Sequence, residues 1–284
     1  MRPFAFVLAL VLALSGVLAG CSGSGRLSYS GPQDAYQKGV AEMEDEDYQQ
    51  AIQLFRAVFE YGRGNEWAPQ ARFKLAMAQR RLNKHLVAAN EFKRFTQLYR
   101  RHELLPRAEF ERANSYYLRS PMYRLGQSDS REAISLFRLF IDRYPNHERV
   151  PEAKEKVDEL RAKLAHKKYA AGELYEQRDM WKAATTVYED AFNQYPDTPW
   201  ADDALFGAVR AYVRYADRSI QKKQAERYQK AIENYNRLTQ LFPESDLLPR
   251  AEELYSEAQQ KLDAVQDRDR QQSLAQENPS RGSN

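Results

Sequence analysis

The chain has 284 residues, of which 29% are charged and 12% aromatic, and its 43 basic and 40 acidic side chains leave a net charge of +3. Basic and acidic residues are mixed along the chain, which argues against a nucleic-acid binder. Runs of Val and Ile are scarce and apolar residues rarely alternate with polar ones, so the composition predicts an all-α protein.

Residues 1–20 have the pattern of a secretory signal peptide. An arginine precedes an apolar run from Phe4 to Leu14, which is too short to remain as a membrane span. Leu18 to Cys21 resembles the lipobox of bacterial lipoproteins, in which the cysteine becomes the acylated N-terminus after cleavage. We therefore expect a lipid anchor, including palmitate, on Cys21, followed by a flexible tether over residues 21–32.

The residue after the lipobox bears on localisation. In well-studied Gram-negative lipoproteins an Asp at that position signals retention in the inner membrane, and here it is Ser22. The sequence therefore predicts a protein anchored by its N-terminal lipid to the cell outer membrane and facing the periplasm.

An internal repeat begins in the first third of the chain. Five alanines are each followed four residues later by an aromatic residue, in the pairs Ala51 and Phe55, Ala88 and Phe92, Ala133 and Phe137, Ala184 and Tyr188, Ala231 and Tyr235. A second alanine stands twenty residues after each first one, at Ala71, Ala108, Ala153, Ala204 and Ala251. Because residues four apart share one face of a helix, the pattern predicts five similar helical units.

The fourth unit, from Gly172 to Pro196, resembles a tetratricopeptide (TPR) repeat. The motif residues are Gly172, Tyr175, Trp181, Ala184, Tyr188, Ala191 and Pro196. Small residues allow two antiparallel helices to approach, large aromatic residues fill the gap to the next repeat, and the proline ends the second helix. We therefore predict an all-α, TPR-like α-solenoid of five helix-turn-helix repeats plus a C-terminal capping helix.

The repeat spacing predicts the helices in chain order. First helices are expected at about Ala35–Met43, Pro69–Leu82, Pro106–Leu118, the segment before Gln177, and Ala201–Ala216. Second helices are expected at about Tyr48–Tyr61, Leu86–Tyr99, Arg131–Tyr144, Trp181–Tyr195 and Tyr228–Phe242. The connections include a loop over Ser120–Ser130 and a polar extension over Asp217–Glu226, and a capping helix is expected at Pro249–Val265.

A long helix divides the predicted repeats into two modules. No Pro or Gly occurs between Glu152 and Ala171, so one helix is predicted from Pro151 to about Gln177. Residues 33–150 would form an N-terminal module of repeats 1–3. Residues 151–265 would form the linking helix and a C-terminal module of repeats 4–5 with its cap, and residues 266–284 a polar, disordered tail.

No arrangement of residues in the sequence indicates catalysis. The four histidines, His85, His102, His147 and His166, are far apart and do not pair with other ligands at metal-binding spacing. The acidic run Glu42–Asp47 falls at a predicted turn, which favours a solvated loop over a cation site. We therefore expect a protein that is not an enzyme and has no catalytic residues, metal site or cofactor.

Binding of a peptide is the function that the repeats favour. TPR arrays have a concave face lined mainly by their first helices. The predicted groove positions of repeats one to three are Tyr36, Val40, Met43, Phe73, Met77, Arg80, Phe110, Asn114 and Tyr117. Aromatic and Met side chains beside Arg and Asn suit an extended or helical peptide. The alternative is that several of these residues pack between helices.

These features together resemble one family. The lipobox, the five repeats and the long helix combine with the segments Phe140–Pro145, Leu160–Leu164 and Tyr195–Thr198. The set resembles the family of the outer membrane protein assembly factor BamD, also called YfiO, over about Gln33–Pro243. The insert at Asp217–Glu226 and the C-terminal cap and tail depart from the better-known proteobacterial pattern.

The resemblance implies a lipoprotein of the β-barrel assembly machinery. Its N-terminal repeats would bind the C-terminal targeting signal of unfolded outer-membrane β-barrel proteins. Its C-terminal repeats would dock on the periplasmic domain of BamA, and other lipoproteins of the machinery would be further partners. The chain would thus be an adaptor in the assembly and insertion of β-barrel proteins into the outer membrane. The alternative is a TPR lipoprotein that scaffolds pilus or secretin assembly, whereas an envelope enzyme would need a catalytic domain for which no segment is left over.

Overall fold

The computed structural model describes residues 27–62 and 64–277, and all regular elements in this part of the chain are helical. The α-helices are α1 (Pro32–Glu44), α2 (Tyr48–Val58), α3 (Ala68–Arg81), α4 (His85–Leu98), α5 (Leu105–Tyr117), α6 (Ser128–Arg143), α7 (Val150–Glu176), α8 (Trp181–Gln194), α9 (Ala201–Asp217), α10 (Gln221–Leu241) and α11 (Leu248–Glu277). One 3₁₀ turn, Phe59–Tyr61, continues α2. The signal peptide, Cys21 and residues 278–284 lie outside the described residues.

Two compact units make up the described chain, one ending at His102 and one beginning at Glu103. The first unit contains α1 to α4 and the second contains α5 to α11. The module boundary predicted between residues 150 and 151 therefore falls inside the second unit, at the first turn of α7.

The first unit consists of two helical hairpins that share a core. Helix α1 packs on α2, α2 on α3, and α3 on α4. Prolines lie in the first turns of α1 and α3, where the missing N–H costs no helical hydrogen bond. In the turn of the first hairpin, Asp47 caps α2 by accepting a hydrogen bond from the backbone N–H of Gln50 at 3.0 Å.

The second unit is a longer stack in which each helix packs on the next from α5 to α11. Its first core joins α5 and α6 to the N-terminal half of α7, through residues such as Phe137, Leu160 and Leu164. The C-terminal half of α7 pairs with α8 to form the fourth hairpin, where Tyr188 is central. The 27 residues of α7 thus serve two consecutive repeats.

The alanines of the repeat lie in the interior of the helical stack. All ten, from Ala51 to Ala251, have no exposed surface. In the fourth hairpin the ring of Tyr188 lies between Gly172 of α7 and Gly207 of α9, where a methyl group on either glycine would lie within 2.9 Å of the ring. The prediction of five TPR-like hairpins and a closing helix is confirmed.

A tight turn is common to the first, second and fourth hairpins. Glu46, Asn83 and Asp179 have φ angles of 61°, 58° and 56°, and each stands two residues before the second helix of its hairpin. Asn and Asp tolerate this left-handed conformation better than most residues. In the third and fifth hairpins the connections are residues 118–127 and 218–220.

The predicted helix ends agree with the structure within three residues for α1 to α9, but two later predictions are wrong. Helix α10 begins at Gln221, so most of the expected polar extension over Asp217–Glu226 is helical. Helix α11 continues to Glu277, so the tail predicted to be disordered from residue 266 is helical over most of its length. Both stretches are rich in Gln, Lys, Glu and Arg, which favour helix without any apolar pattern.

Candidate functional site

The groove positions predicted from the repeat spacing are distributed over both units. In the first unit, Tyr36, Val40 and Met43 of α1 are half-buried and pack against the core. The ring of Tyr36 lies 5.2 Å from that of Trp67, and burial raises the pKa of the Tyr36 hydroxyl. Met77 and Arg80 of α3 are also half-buried. These residues present partly exposed apolar and basic surface on the first helices of the unit.

Phe73 does not line this face, so the prediction for it is wrong. Its side chain is only 4% exposed and meets the rings of Phe92 and Phe95 edge-on at 5.5 and 6.2 Å. Helix α3 turns Phe73 toward α4, since the apolar side chain fills the space between the two helices of the hairpin. Beside it, the buried Arg72 pairs with Glu91 at 2.6 Å.

Phe110 in the second unit is likewise a core residue, and its assignment to the groove is wrong. It is fully buried, with its ring 5.3 Å from Phe137 and 5.4 Å from Phe140. The guanidinium of Arg149 covers the ring at 3.6 Å and pairs with the buried Glu111 at 2.8 Å. The aromatic side chain is therefore shielded from any peptide.

Asn114 and Tyr117 of α5 do remain accessible, and polar contacts fix both. Asn114 donates a hydrogen bond to Glu111 at 3.3 Å. The hydroxyl of Tyr117 donates to Glu159, and the amine of Lys156 lies 4.0 Å above its ring. The hydrogen bond to Glu159 raises the pKa of Tyr117 to about 12, so the hydroxyl stays protonated at neutral pH. On this part of the surface of α5 and α7, the polar side chains hold one another in fixed positions.

The loop of residues 118–127 is folded onto α7 by contacts that the sequence pattern does not reveal. The buried Gln127 donates to the backbone oxygens of Met122 and Leu125 at 2.9 and 3.1 Å. The amine of Lys167 donates to three backbone oxygens of the same loop, at 2.9 to 3.3 Å. The fixed loop leaves Met122 65% exposed and Leu125 56% exposed.

His166 belongs to an aromatic stack rather than to a catalytic group. Its ring lies between those of Tyr123 and Trp200, with centroid distances of 3.8 and 3.9 Å. Burial in this stack lowers the pKa of His166, so the imidazole is neutral at pH 7. The stack joins the 118–127 loop to α7 and to the start of α9.

In residues 27–62 and 64–277, no group of three or more His, Cys, Asp or Glu side chains could hold a metal ion. No helix within the same ranges combines the length and the apolar character that a membrane span requires.

The fold and these faces define the class of protein: a TPR-type helical scaffold whose partly exposed aromatic, Met and charged side chains suit the binding of other chains. A family model described as YfiO, outer membrane lipoprotein, matches residues 30–227. The chain belongs to this family, as the sequence resemblance predicts.

Several relatives carry the description outer membrane protein assembly factor BamD. The protein of Caulobacter vibrioides is 26% identical over 75% of this chain and 70% of its own length. That of Rickettsia prowazekii is 25% identical over 63% of this chain and 71% of its own length. That of Pasteurella multocida is 24% identical over 75% of this chain and 85% of its own length.

Solved structures with similar folds are TPR proteins. A TPR repeats protein from Bacteroides fragilis covers 81% of this chain and 98% of its own, with 13% identity and a TM-score of 0.45. A TPR protein from Parabacteroides merdae covers 79% of this chain and 98% of its own, with 11% identity and a TM-score of 0.36. Neither likeness bears on function.

Proposed function

We propose that this chain is a lipid-anchored adaptor of the β-barrel assembly machinery, on the periplasmic side of the outer membrane. The observation that carries the proposal is the match to the YfiO outer membrane lipoprotein family over residues 30–227. The relatives named as outer membrane protein assembly factors support the same role. The chain would act by binding, without catalysis, in the assembly and insertion of β-barrel proteins.

The lipid would be attached at Cys21. The sequence around this residue has the lipobox pattern, and the chain contains one cysteine. Several acyl chains contribute about 0.8 kcal/mol per buried methylene, which is enough for stable anchoring. The anchor would hold the repeats close to the membrane in which the barrels are assembled.

Unfolded β-barrel segments would bind to the first helices of the early repeats. Once Phe73 and Phe110 are assigned to the core, the candidate contacts are Tyr36, Met43, Met77, Arg80, Asn114 and Tyr117. Met and Tyr offer adaptable apolar contact, while Arg and Asn offer hydrogen bonds to a peptide backbone or a terminal carboxylate. Contacts of this kind suit weak and reversible capture of many different barrel segments.

The later repeats would dock on the periplasmic domain of BamA, with other lipoproteins of the machinery as further partners. Purification of the full chain from its own membrane, followed by identification of the co-purifying proteins, tests this proposal. Co-purification of BamA is the expected result. Recovery of a secretin in its place would overturn the proposal in favour of the pilus or secretin scaffold.

The peptide contacts are tested with a synthetic peptide that ends in an aromatic residue, by fluorescence anisotropy. Met77→Ser and Tyr117→Ser should each weaken binding about threefold to tenfold, since each removes about 1 kcal/mol of contact. Leu86→Ser is the matched control, because Leu86 is an exposed apolar residue on the second helix of its hairpin. Equal affinities for all four proteins would contradict the assignment of these two residues.

A further inference from the structure

Charge is distributed unevenly between the two hairpins of the first unit. The first hairpin, residues 32–58, has two basic and six acidic side chains. The second hairpin and the turn after it, residues 68–102, have nine basic side chains and one acidic side chain, Glu91. Because the net charge of the whole chain is only +3, the second hairpin is a local concentration of positive charge.

Glu91 does little to offset this charge at the surface, because its carboxylate is shared by two cations. It pairs with the buried Arg72 at 2.6 Å and with Arg94 at 3.1 Å. Lys93 and Arg101 are exposed, and neither has an ion-pair partner among the residues that the structure describes. The hairpin therefore presents cations to the solvent without matching carboxylates.

Helix α4 carries cations and apolar side chains on the same exposed face. Val87 and Leu98 are 42% and 46% exposed, and the exposed Lys93 and Arg94 lie between them along the helix. At 3.6 residues per turn, these four positions fall within about 140° of the helix circumference. Every exposed charge on α4 is basic. This face thus combines positive charge with separate apolar contacts.

The basic surface continues past the end of α4. Residues 98–102 wall an open hollow of about 500 Å³, which includes Arg100 and Arg101. The Nε–H of Arg100 donates to the backbone oxygen of Gln97 at 3.3 Å, which holds this side chain beside the helix end. Two guanidiniums next to an exposed leucine suit a ligand that has both a phosphate and an apolar chain.

We propose that the α4 face, defined by Val87, Lys93, Arg94, Leu98 and Arg101, rests on the anionic phospholipid headgroups of a membrane. The Lys and Arg side chains would extend to the phosphates, while Val87 and Leu98 would reach the boundary of the acyl chains. The cations are spread over the outer side of a helix about 21 Å long, rather than gathered in a groove. They therefore match a plane of negative charge better than a single acidic peptide.

The proposed lipid anchor would bring the same unit to a membrane, and to that extent the inference rests on the proposed function. Pro32, the first residue of α1, is eleven residues from Cys21, so a fully extended tether reaches about 36 Å. Packed helices lie about 8–10 Å apart, so α4 is roughly 30 Å or less from α1 across the stack. The tether is long enough for α4 to contact the membrane that holds the acyl chains. Contact through this second helix leaves first-helix residues such as Met77 accessible to a peptide.

Vesicle binding by the mature chain, residues 21–284 with Cys21→Ser, tests the face without help from acyl chains. In sedimentation with vesicles, the chain should bind phosphatidylcholine that contains about 30% phosphatidylglycerol and not phosphatidylcholine alone, and binding should weaken as salt is raised. Each charge near such a surface contributes roughly fivefold to affinity, so Lys93→Gln with Arg101→Gln should weaken binding about tenfold or more. Arg178→Gln with Lys222→Gln is the matched control, because it removes the same charge from exposed residues of the second unit and should have little effect.

A fluorescent label identifies the helix that touches the vesicle. Cys21→Ser leaves the chain without cysteine, so Gln97→Cys can carry a single environment-sensitive NBD dye on α4. Its fluorescence should rise on anionic vesicles, whereas a dye at Gln240→Cys should not respond. Both glutamines are exposed and stand nine residues after the first alanine of their repeats. Leu98→Ser should weaken binding about threefold, while Leu241→Ser, at the corresponding position of the fifth repeat, should not.

Three results would overturn the proposal. The first is equal binding to vesicles with and without phosphatidylglycerol, and the second is equal binding by the parent chain and Lys93→Gln with Arg101→Gln. The third is binding of polyglutamate, but not of vesicles, that this double variant weakens, because an acidic protein would then be the occupant. A chain that co-purifies with BamA but does not bind anionic vesicles would count against the α4 face alone. Vesicle binding by a chain that does not co-purify with BamA would count against the proposed function alone.

Discussion

Replacement of Gly172 by Ala would place a methyl group against the ring of Tyr188. An ideal Cβ at this position would lie 2.7 Å from Cδ1 and Cζ of the ring, and closer still to Cε1. An ordinary contact begins at about 3.4 Å, so the ring would have to move by at least about 0.7 Å. The ring is also packed close to Gly207 of α9, where a Cβ would lie 2.7 Å from it, so little space is left for it to move toward that helix.

The magnitude follows from two opposed effects. Extra volume in a packed core costs about 1–3 kcal/mol, whereas Ala in place of Gly within a helix gains about 0.5–1 kcal/mol. The net expectation for Gly172→Ala is a destabilisation of about 1–2 kcal/mol, which would lower the melting temperature by a few degrees.

Thermal and urea unfolding, followed by circular dichroism, measure this change. Gly126→Ala is the matched control, because no atom lies within 4 Å of a Cβ built at that position. The double variant Gly172→Ala with Tyr188→Leu should lose less stability than the sum of the two single changes, since the smaller side chain makes room for the methyl group. A Gly172→Ala protein as stable as the original would refute the argument that the ring is held between two glycines.

Three other predictions concern separate parts of the molecule. Arg149→Met should lower the free energy of unfolding by about 1–3 kcal/mol, because it removes the guanidinium paired with the buried Glu111; an unchanged urea midpoint would contradict this. Burial acts to raise the pKa of Asp217, but hydrogen bonds from Lys261 and Tyr228 outweigh it and lower the pKa. The stability that Asp217 contributes is therefore fully present above its unfolded pKa of about 3.9 and is lost as pH falls through the lower folded value, so Asp217→Asn should reduce the melting temperature by more at pH 7 than at pH 3; equal losses at both pH values would show that the charge is not responsible. Cys21→Ser should release the protein from membranes into the soluble fraction, and a variant that still sediments with membranes would show that the lipobox assignment is wrong.

The repeat positions could be predicted because packing between helices depends on residue size at fixed spacing. The ten alanines recur at the predicted spacing, and all are fully buried. Prolines in the first turns of α3, α5 and α7 placed the starts of those helices correctly. The start of α10 and the end of α11 could not be found in this way, because their polar residues form helix without an apolar stripe.

The candidate faces were predicted less well than the helices. Spacing from the alanines does not tell which side of a first helix turns toward its partner, and Phe73 and Phe110 turn inward to meet the phenylalanines of the second helices. The fold of the 118–127 loop depends on Lys167, more than forty residues further along the chain.

Helix α7 has a mechanical consequence. Its 27 residues span about 40 Å without a break, and it packs on α6 at one end and α8 at the other. Two repeats that share a single helix cannot pivot against each other as repeats joined by a turn can. Surfaces on the third and fourth hairpins are therefore kept at a constant distance from each other.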